Sequence, residues 1–124
     1  MESMLSILLV ILPLNEARMV EHIARRYNLT PEQTVLLAAI RKSENGGPGL
    51  EFGVGQDQPG HSARRYKKSP VRSFLLQGAW SAGTIQKRYT GNLGAFAKRY
   101  CPKNSKSWEQ NVHYWMFQAQ QTAQ

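Results

Sequence analysis

Residues 30–56 read TPEQTVLLAAIRKSENGGPGLEFGVGQ, and this stretch decides the fold. It opens with three helix-start signals in four residues. Thr30 suits an N-cap, Pro31 suits the first helical position, and Gln33 completes a capping-box spacing. Val35, Leu36, Ala39 and Ile40 then recur at helical spacing, which predicts the inward face of a helix ending at Glu44. Asn45-Gly46-Gly47-Pro48-Gly49 breaks it. A carboxylate on the last turn of an apolar helix, facing a glycine-rich loop, loses part of its hydration, which favours the protonated form. A glycosidase needs that state in its general acid. The plainer alternative is a surface glutamate at a frayed helix end.

Upstream, Asn15 is placed to cap a helix running to about Tyr27, with Met19, Val20, Ile23, Ala24 and Tyr27 on one face. Downstream, residues 45–70 hold six glycines and three prolines, so they read as loop, with a short extended stretch around Leu50 to Val54. Loops of this length inside compact domains usually carry function. Ser69-Pro70 opens a further helix bearing Val71, Phe74, Leu75 and Ala79, which Trp80-Ser81-Ala82-Gly83 is expected to interrupt or bend. Asn92 caps a short helix through Tyr100, and Cys101-Pro102 stops it. Ser107 and Gln110 form a second capping-box spacing, and Trp108, Val112, Trp115 and Ala119 mark one face of a last helix. No period-two strand is evident. The fold class is mainly α, in one domain.

The 124 residues carry a net charge of +8, which implies attraction to a polyanion: nucleic acid, an anionic membrane surface or an acidic wall polymer. Cys101 is the only cysteine, so no intrachain disulfide framework exists, and His22, His61 and His113 lack ligand spacing. No metal and no cofactor are expected. Residues 1–14 form an apolar N-terminal segment ahead of a catalytic domain at 15–124. Met4 to Leu14 is shorter than the roughly 20 residues a spanning helix needs, and only Glu2 is charged before it. The segment reads as a docked helix or as a degenerate export or membrane-associating segment.

Of the eight acidic residues, Glu2, Glu16, Glu21 and Glu32 lie upstream, and Glu109 suits the first turn of the last helix. Glu44, Glu51 and Asp57 remain, in or beside the glycine-rich loop. Three carboxylates there suggest an acid and a base, although Glu51 and Asp57 read equally well as solvated loop charges.

Three segments together resemble a known group: Ala38-Ala39-Ile40-Arg41-Lys42-Ser43-Glu44, then Phe52-Gly53-Val54-Gly55-Gln56, then Ala79-Trp80-Ser81-Ala82-Gly83. Their order is similar to that of the soluble lytic transglycosylases and goose-type lysozymes, over roughly residues 17–100. The resemblance implies a lysozyme-like helical fold with a glycine-rich active-site loop, and a catalytic Glu44 at the end of a buried helix. It also implies that Phe52, Gly53, Val54, Gly55 and Gln56 line a sugar cleft, to which Trp80 and Ser81 contribute. The chain departs from the pattern at Asn45, where a Ser or Thr is usual, and at Ser81, where Asn is usual. Asp57 stands one position off the aspartate of goose-type lysozymes.

The resemblance implies that a protonated Glu44 donates to the oxygen between N-acetylmuramic acid and N-acetylglucosamine, and in the lytic transglycosylases of that group the muramyl C6 hydroxyl then attacks C1 internally. That route needs no second carboxylate. Inverting hydrolysis would need a base about 6.5–9.5 Å away to hold a water, with Asp57 or, less favoured, Glu51 as candidates. Tyr66, Trp80, Tyr89 and Tyr100 lie among Arg64, Arg65, Lys67, Lys68, Lys87, Arg88, Lys98 and Arg99, a pattern suited to stacking on sugars and attracting stem-peptide carboxylates. Tyr100 and Trp108 read as core, and Trp80 as mixed. The expected partner is the peptidoglycan glycan strand, in the cell envelope or as a phage lysis product. Membrane association through residues 4–14 stays open. The runner-up is a non-catalytic basic helical module that binds nucleic acid or wall glycan.

Overall fold

The computed structural model describes residues 3–55 and 69–121. The described residues form six helices: α1 (Met4–Leu8), α2 (Leu14–Arg26), α3 (Pro31–Glu44), α4 (Pro70–Arg88), α5 (Leu93–Tyr100) and α6 (Ser105–Gln121). A single 3₁₀ turn, Pro102–Asn104, leads into α6. The described residues contain no strand, and the chain is mainly helical in a single compact domain.

Helix α3 is the centre. Its start follows from the capping box: Thr30 Oγ1 accepts from the Gln33 amide at 3.1 Å, and Gln33 Oε1 accepts from the Thr30 amide at 2.9 Å. The run Thr34 to Ile40 is buried without a gap. Sequence spacing alone marks one inward face, but α1, α2, α4 and α6 surround α3 and cover the other sides as well. A helix apolar all round belongs inside a protein rather than at its surface. Asn45 ends it in the left-handed conformation, at φ 49°, and so turns the chain back across the helix end.

Helix α2 starts at Leu14, after Pro13, one residue before the expected cap, and Asn15 makes no capping bond. Asn28, at φ 52°, closes it, with the Leu29 amide returning to the Ala24 carbonyl at 2.9 Å. Leu8, Ile11 and Leu12 of the N-terminal segment are buried in the common core, whereas Leu9, Val10 and Leu14 are exposed. Among the described residues no helix is long and apolar enough to cross a membrane.

Two expectations are corrected. Helix α4 runs unbroken through Trp80-Ser81-Ala82-Gly83. A glycine within a helix costs only about 1 kcal/mol relative to alanine, and here Ser81, Ala82 and Ile85 continue the buried face across it. Helix α6 begins at Ser105 rather than at a Ser107 cap, because the 3₁₀ turn feeds straight into it. Glu109 therefore lies past the first turn, with its carboxylate beside Gly94 at the start of α5. The last helix buries Trp108, Val112, Met116 and Ala119, with Trp115 half-buried.

Candidate active site

Glu44 is the last residue of α3 and is half-buried. Its carboxylate accepts a hydrogen bond from Trp108 Nε1 at 2.9 Å. On its other side lies Gly53, at φ 72°, packed so closely that a Cβ there would stand 2.5 Å from Oε2 and 2.7 Å from Oε1. Only glycine fits, on conformation and on space. Gly53 is itself exposed, so the backbone beside the carboxylate is open to solvent.

Three aromatic rings from α5 and α6 back this arrangement. Trp108 stacks on Tyr100 with centroids 4.9 Å apart, and Phe96 packs against both, at 6.0 and 5.5 Å. The Tyr100 hydroxyl donates to the Phe52 carbonyl at 2.7 Å and shares a 3.0 Å hydrogen bond with Ser81 Oγ. Burial pushes the Tyr100 hydroxyl above its usual pKa, and the nearby Glu44 charge pushes it further, against the lowering effect of Ser81. Tyr100 therefore stays protonated and remains a donor at neutral pH.

The glycine-rich loop is held by side chains from three helices. Arg41 on α3 reaches the Gly46 and Glu51 carbonyls at 3.0 and 3.2 Å, while both Glu16 oxygens pair with its guanidinium at 2.8 and 3.2 Å. On α4, three buried polar residues recur at a four-residue spacing beneath the loop. Ser73 Oγ accepts from the Gly49 amide at 2.6 Å and donates to Glu51 Oε1 at 3.0 Å. Gln77 bonds the backbone of Phe52 and Val54, and Ser81 reaches Tyr100. None of the three is more than 2% exposed.

A cavity of about 140 Å³ opens beside Gly53, lined by Gly53, Val54, Gly55, Trp80, Thr84, Arg99 and Tyr100. A second, of about 350 Å³, shares Trp80 and Thr84 with it and extends to Tyr27, Gly83, Gln86 and Lys87. Trp80 stands between two concave surfaces that follow one face of α4. An exposed cation borders each, Arg99 and Lys87.

Of the residues expected in the site, Gly53, Val54, Gly55 and Trp80 line one cavity, and Glu44 meets Gly53 at its edge. The structure places the others differently. Phe52 is a core residue, 0% exposed and packed edge-to-face on Phe74 at 5.0 Å, because its ring points away from the loop's outer face. Ser81 is also fully buried, so it supports Tyr100 and presents no surface to the cleft. The Glu51 carboxylate is 4% exposed and is occupied by Ser73 and the Gly49 amide, on a face of the loop away from the Gly53 cavity. Tyr89 packs on Phe96 and faces Glu32; burial first, and then the Glu32 carboxylate, raises the tyrosine's pKa. Glu32 precedes Glu44 by about 18 Å along the α3 axis, so Tyr89 is remote from Glu44. Gln56, Asp57 and Tyr66 lie outside the described residues, as do Arg64, Arg65, Lys67 and Lys68.

Arg41, Gln77 and the site roles of Tyr100 and Trp108 are not legible as motifs. The one available signal was the Ser73-Gln77-Ser81 stripe, three polar residues on the face of a helix whose neighbours are apolar. Among the described residues no group of three or more His, Cys, Asp or Glu side chains converges on a metal position. Comparison with protein-family models, curated proteins and solved structures returns no match to this chain.

Proposed function

We propose that this chain cleaves the β-1,4 bond between N-acetylmuramic acid and N-acetylglucosamine in peptidoglycan, with Glu44 as general acid in a lysozyme-like arrangement. The observation that carries the reading is the Glu44 carboxylate, half-buried at the end of the central helix and seated between Trp108 Nε1 and the open backbone of Gly53. Gly53 joins the carboxylate to a cavity walled by Trp80 and Tyr100, where a pyranose face meets an aromatic one. The net charge of +8 draws the enzyme to an anionic wall polymer in the cell envelope or during phage-type lysis.

In the reaction, protonated Glu44 gives its proton to the glycosidic oxygen as the bond to the muramyl C1 breaks. Charge develops on that ring as an oxocarbenium-like transition state. The muramyl C6 hydroxyl attacks C1, and the Glu44 carboxylate takes the hydroxyl proton, which restores the acid and leaves a 1,6-anhydro end. Trp108 holds the carboxylate in place for both transfers. The internal route needs no second carboxylate; Glu51 is tied to Ser73 and Gly49 and does not face the cavity as a base for water, and Asp57, the other candidate base, lies outside the described residues. No metal or cofactor enters this scheme.

The test compares loss of turbidity of a peptidoglycan suspension under the wild type and Glu44→Gln. Glutamine keeps the shape but has no acidic proton. Clearing by the wild type alone supports the reading, and equal clearing removes Glu44 from the mechanism. Clearing by neither, with nucleic-acid binding that weakens steeply with salt, establishes the basic binding module instead.

A further inference from the structure

We propose that Gln77 is a positioning residue for this reaction, one that fixes the wall of the site against the Glu44 carboxylate; the catalytic part of this inference rests on the function proposed above. Gln77 lies within α4 and is 2% exposed. Its Oε1 accepts from the amides of Phe52 and Val54, both at 3.1 Å, and its Nε2 donates to the Val54 carbonyl at 3.2 Å. The side-chain amide therefore pairs with the loop as a neighbouring strand would, through acceptor and donor together.

The residue enclosed by these three bonds is Gly53. The residues on both sides of Gly53 are pinned to α4, which supports Gly53 at its positive φ and against the carboxylate. The Tyr100 hydroxyl adds one bond to the Phe52 carbonyl from the opposite side. Arg41 on α3 holds the Glu51 carbonyl, and the Gly53 amide bonds the Leu50 carbonyl at 3.1 Å. Gln77 adds the three bonds that fix Phe52 and Val54, the residues on either side of Gly53. A misplacement of about 1 Å in such a site costs on the order of 100-fold in turnover.

The chemistry makes a selective test available. Gln77→Glu keeps an acceptor for both amides, but a carboxylate cannot donate to the Val54 carbonyl. Once protonated, it donates through its hydroxyl and the full pattern returns. Gln77→Glu should therefore lose turnover by roughly 10- to 100-fold at alkaline pH, with a smaller change in KM. The loss should shrink as pH falls through the titration of the new carboxyl. Glu51, Glu44, Tyr100, Arg41 and Arg99 are the titratable and charged groups that face the segment among the described residues. Because the wild type carries the same groups, each rate is read as the variant-to-wild-type ratio at one pH.

The second readout needs no activity: amide hydrogen exchange at Phe52 and Val54 in the full chain. Both amides should be protected in the wild type and in Gln77→Glu, which keeps the acceptor oxygen, and exposed in a folded Gln77→Ala, which removes it. A folded Gln77→Glu variant whose turnover ratio does not change with pH overturns the proposal. So does a wild type in which these two amides exchange as freely as unstructured ones, a measurement that holds even where the variant fails to fold. If the wild type clears no peptidoglycan, the function reading and the catalytic role fail together, whereas the exchange pattern still reports whether Gln77 holds the segment.

Discussion

Replacing Gly53 with alanine probes the contact on which the site depends. Two costs combine at this position. A left-handed backbone costs a residue with a Cβ about 1–2 kcal/mol. The new Cβ would also stand 2.5 and 2.7 Å from the carboxylate oxygens of Glu44, so the carboxylate must move. Moving it breaks the 2.9 Å bond from Trp108, and a hydrogen bond to a charged group contributes about 1.5–3 kcal/mol. Gly53→Ala should thus cost about 2.5–5 kcal/mol. Gly91 supplies the control, since it also has a positive φ, at 98°, yet a Cβ there meets nothing within 4 Å. Gly91→Ala should carry the backbone cost alone. At about 4 °C per kcal/mol for a chain of this size, thermal melting should place Gly53→Ala roughly 6–12 °C below Gly91→Ala. Adding Glu44→Ala to Gly53→Ala frees the space for the Cβ, so a double-mutant cycle should recover about 1.5–3 kcal/mol. Equal melting temperatures for the two glycine variants, or an additive cycle, would refute the contact between Gly53 and Glu44.

Two more perturbations test the packing around the loop. Gly78→Ala should lower the melting temperature although alanine favours helix by about 1 kcal/mol. Its Cβ would press on the Phe52 ring at 3.2 and 3.3 Å and collide with Ile23, and overpacking costs about 1–3 kcal/mol; a raised melting temperature contradicts this. Tyr100→Phe concerns alkaline stability. The folded state raises this hydroxyl above its ordinary value of 10.0, so the stability linked to its proton is complete below pH 10 and is lost as pH climbs past it. In urea titrations the variant should be less stable at neutral pH by about 1–2 kcal/mol, from the lost bonds to Phe52 and Ser81. It should also lose stability more gradually than the wild type above pH 10. A variant with the wild-type alkaline slope would show that Tyr100 is not the linked group.

Local signals carried much of the fold, although the expected Asn15 cap and Ser107 capping box are not where α2 and α6 begin. The Thr30 capping box, the Asn92 cap and the stop at Asn45 involve residues within four positions of each other, and all three occur in the structure. Glu44 was legible because a helix end and a glycine-rich loop are both written locally. Helix continuity through Gly83 was not, since burial of Ser81, Ala82 and Ile85 against other helices outweighs the glycine's weak preference. Phe52 shows the limit of motif reading. Its neighbours Gly53 and Val54 reach the cavity, while its own ring turns into the core against Phe74. Gln77 and Arg41 act on backbone groups whose residue type leaves no mark, and the Gln77 bonds span 23 to 25 residues. Trp108 reaches Glu44 across 64 residues, a separation no periodicity reports.

The central claim is that Glu44 drives cleavage of the glycan with the substrate's own hydroxyl as nucleophile. Mass spectrometry of peptidoglycan digested by the purified protein tests this most directly. The account expects 1,6-anhydro-muramic ends from the wild type and none from Glu44→Gln. Reducing muramic acid ends would contradict the internal route. Digestion that survives Glu44→Gln, or intact strands after treatment with folded wild type, would contradict the claim itself.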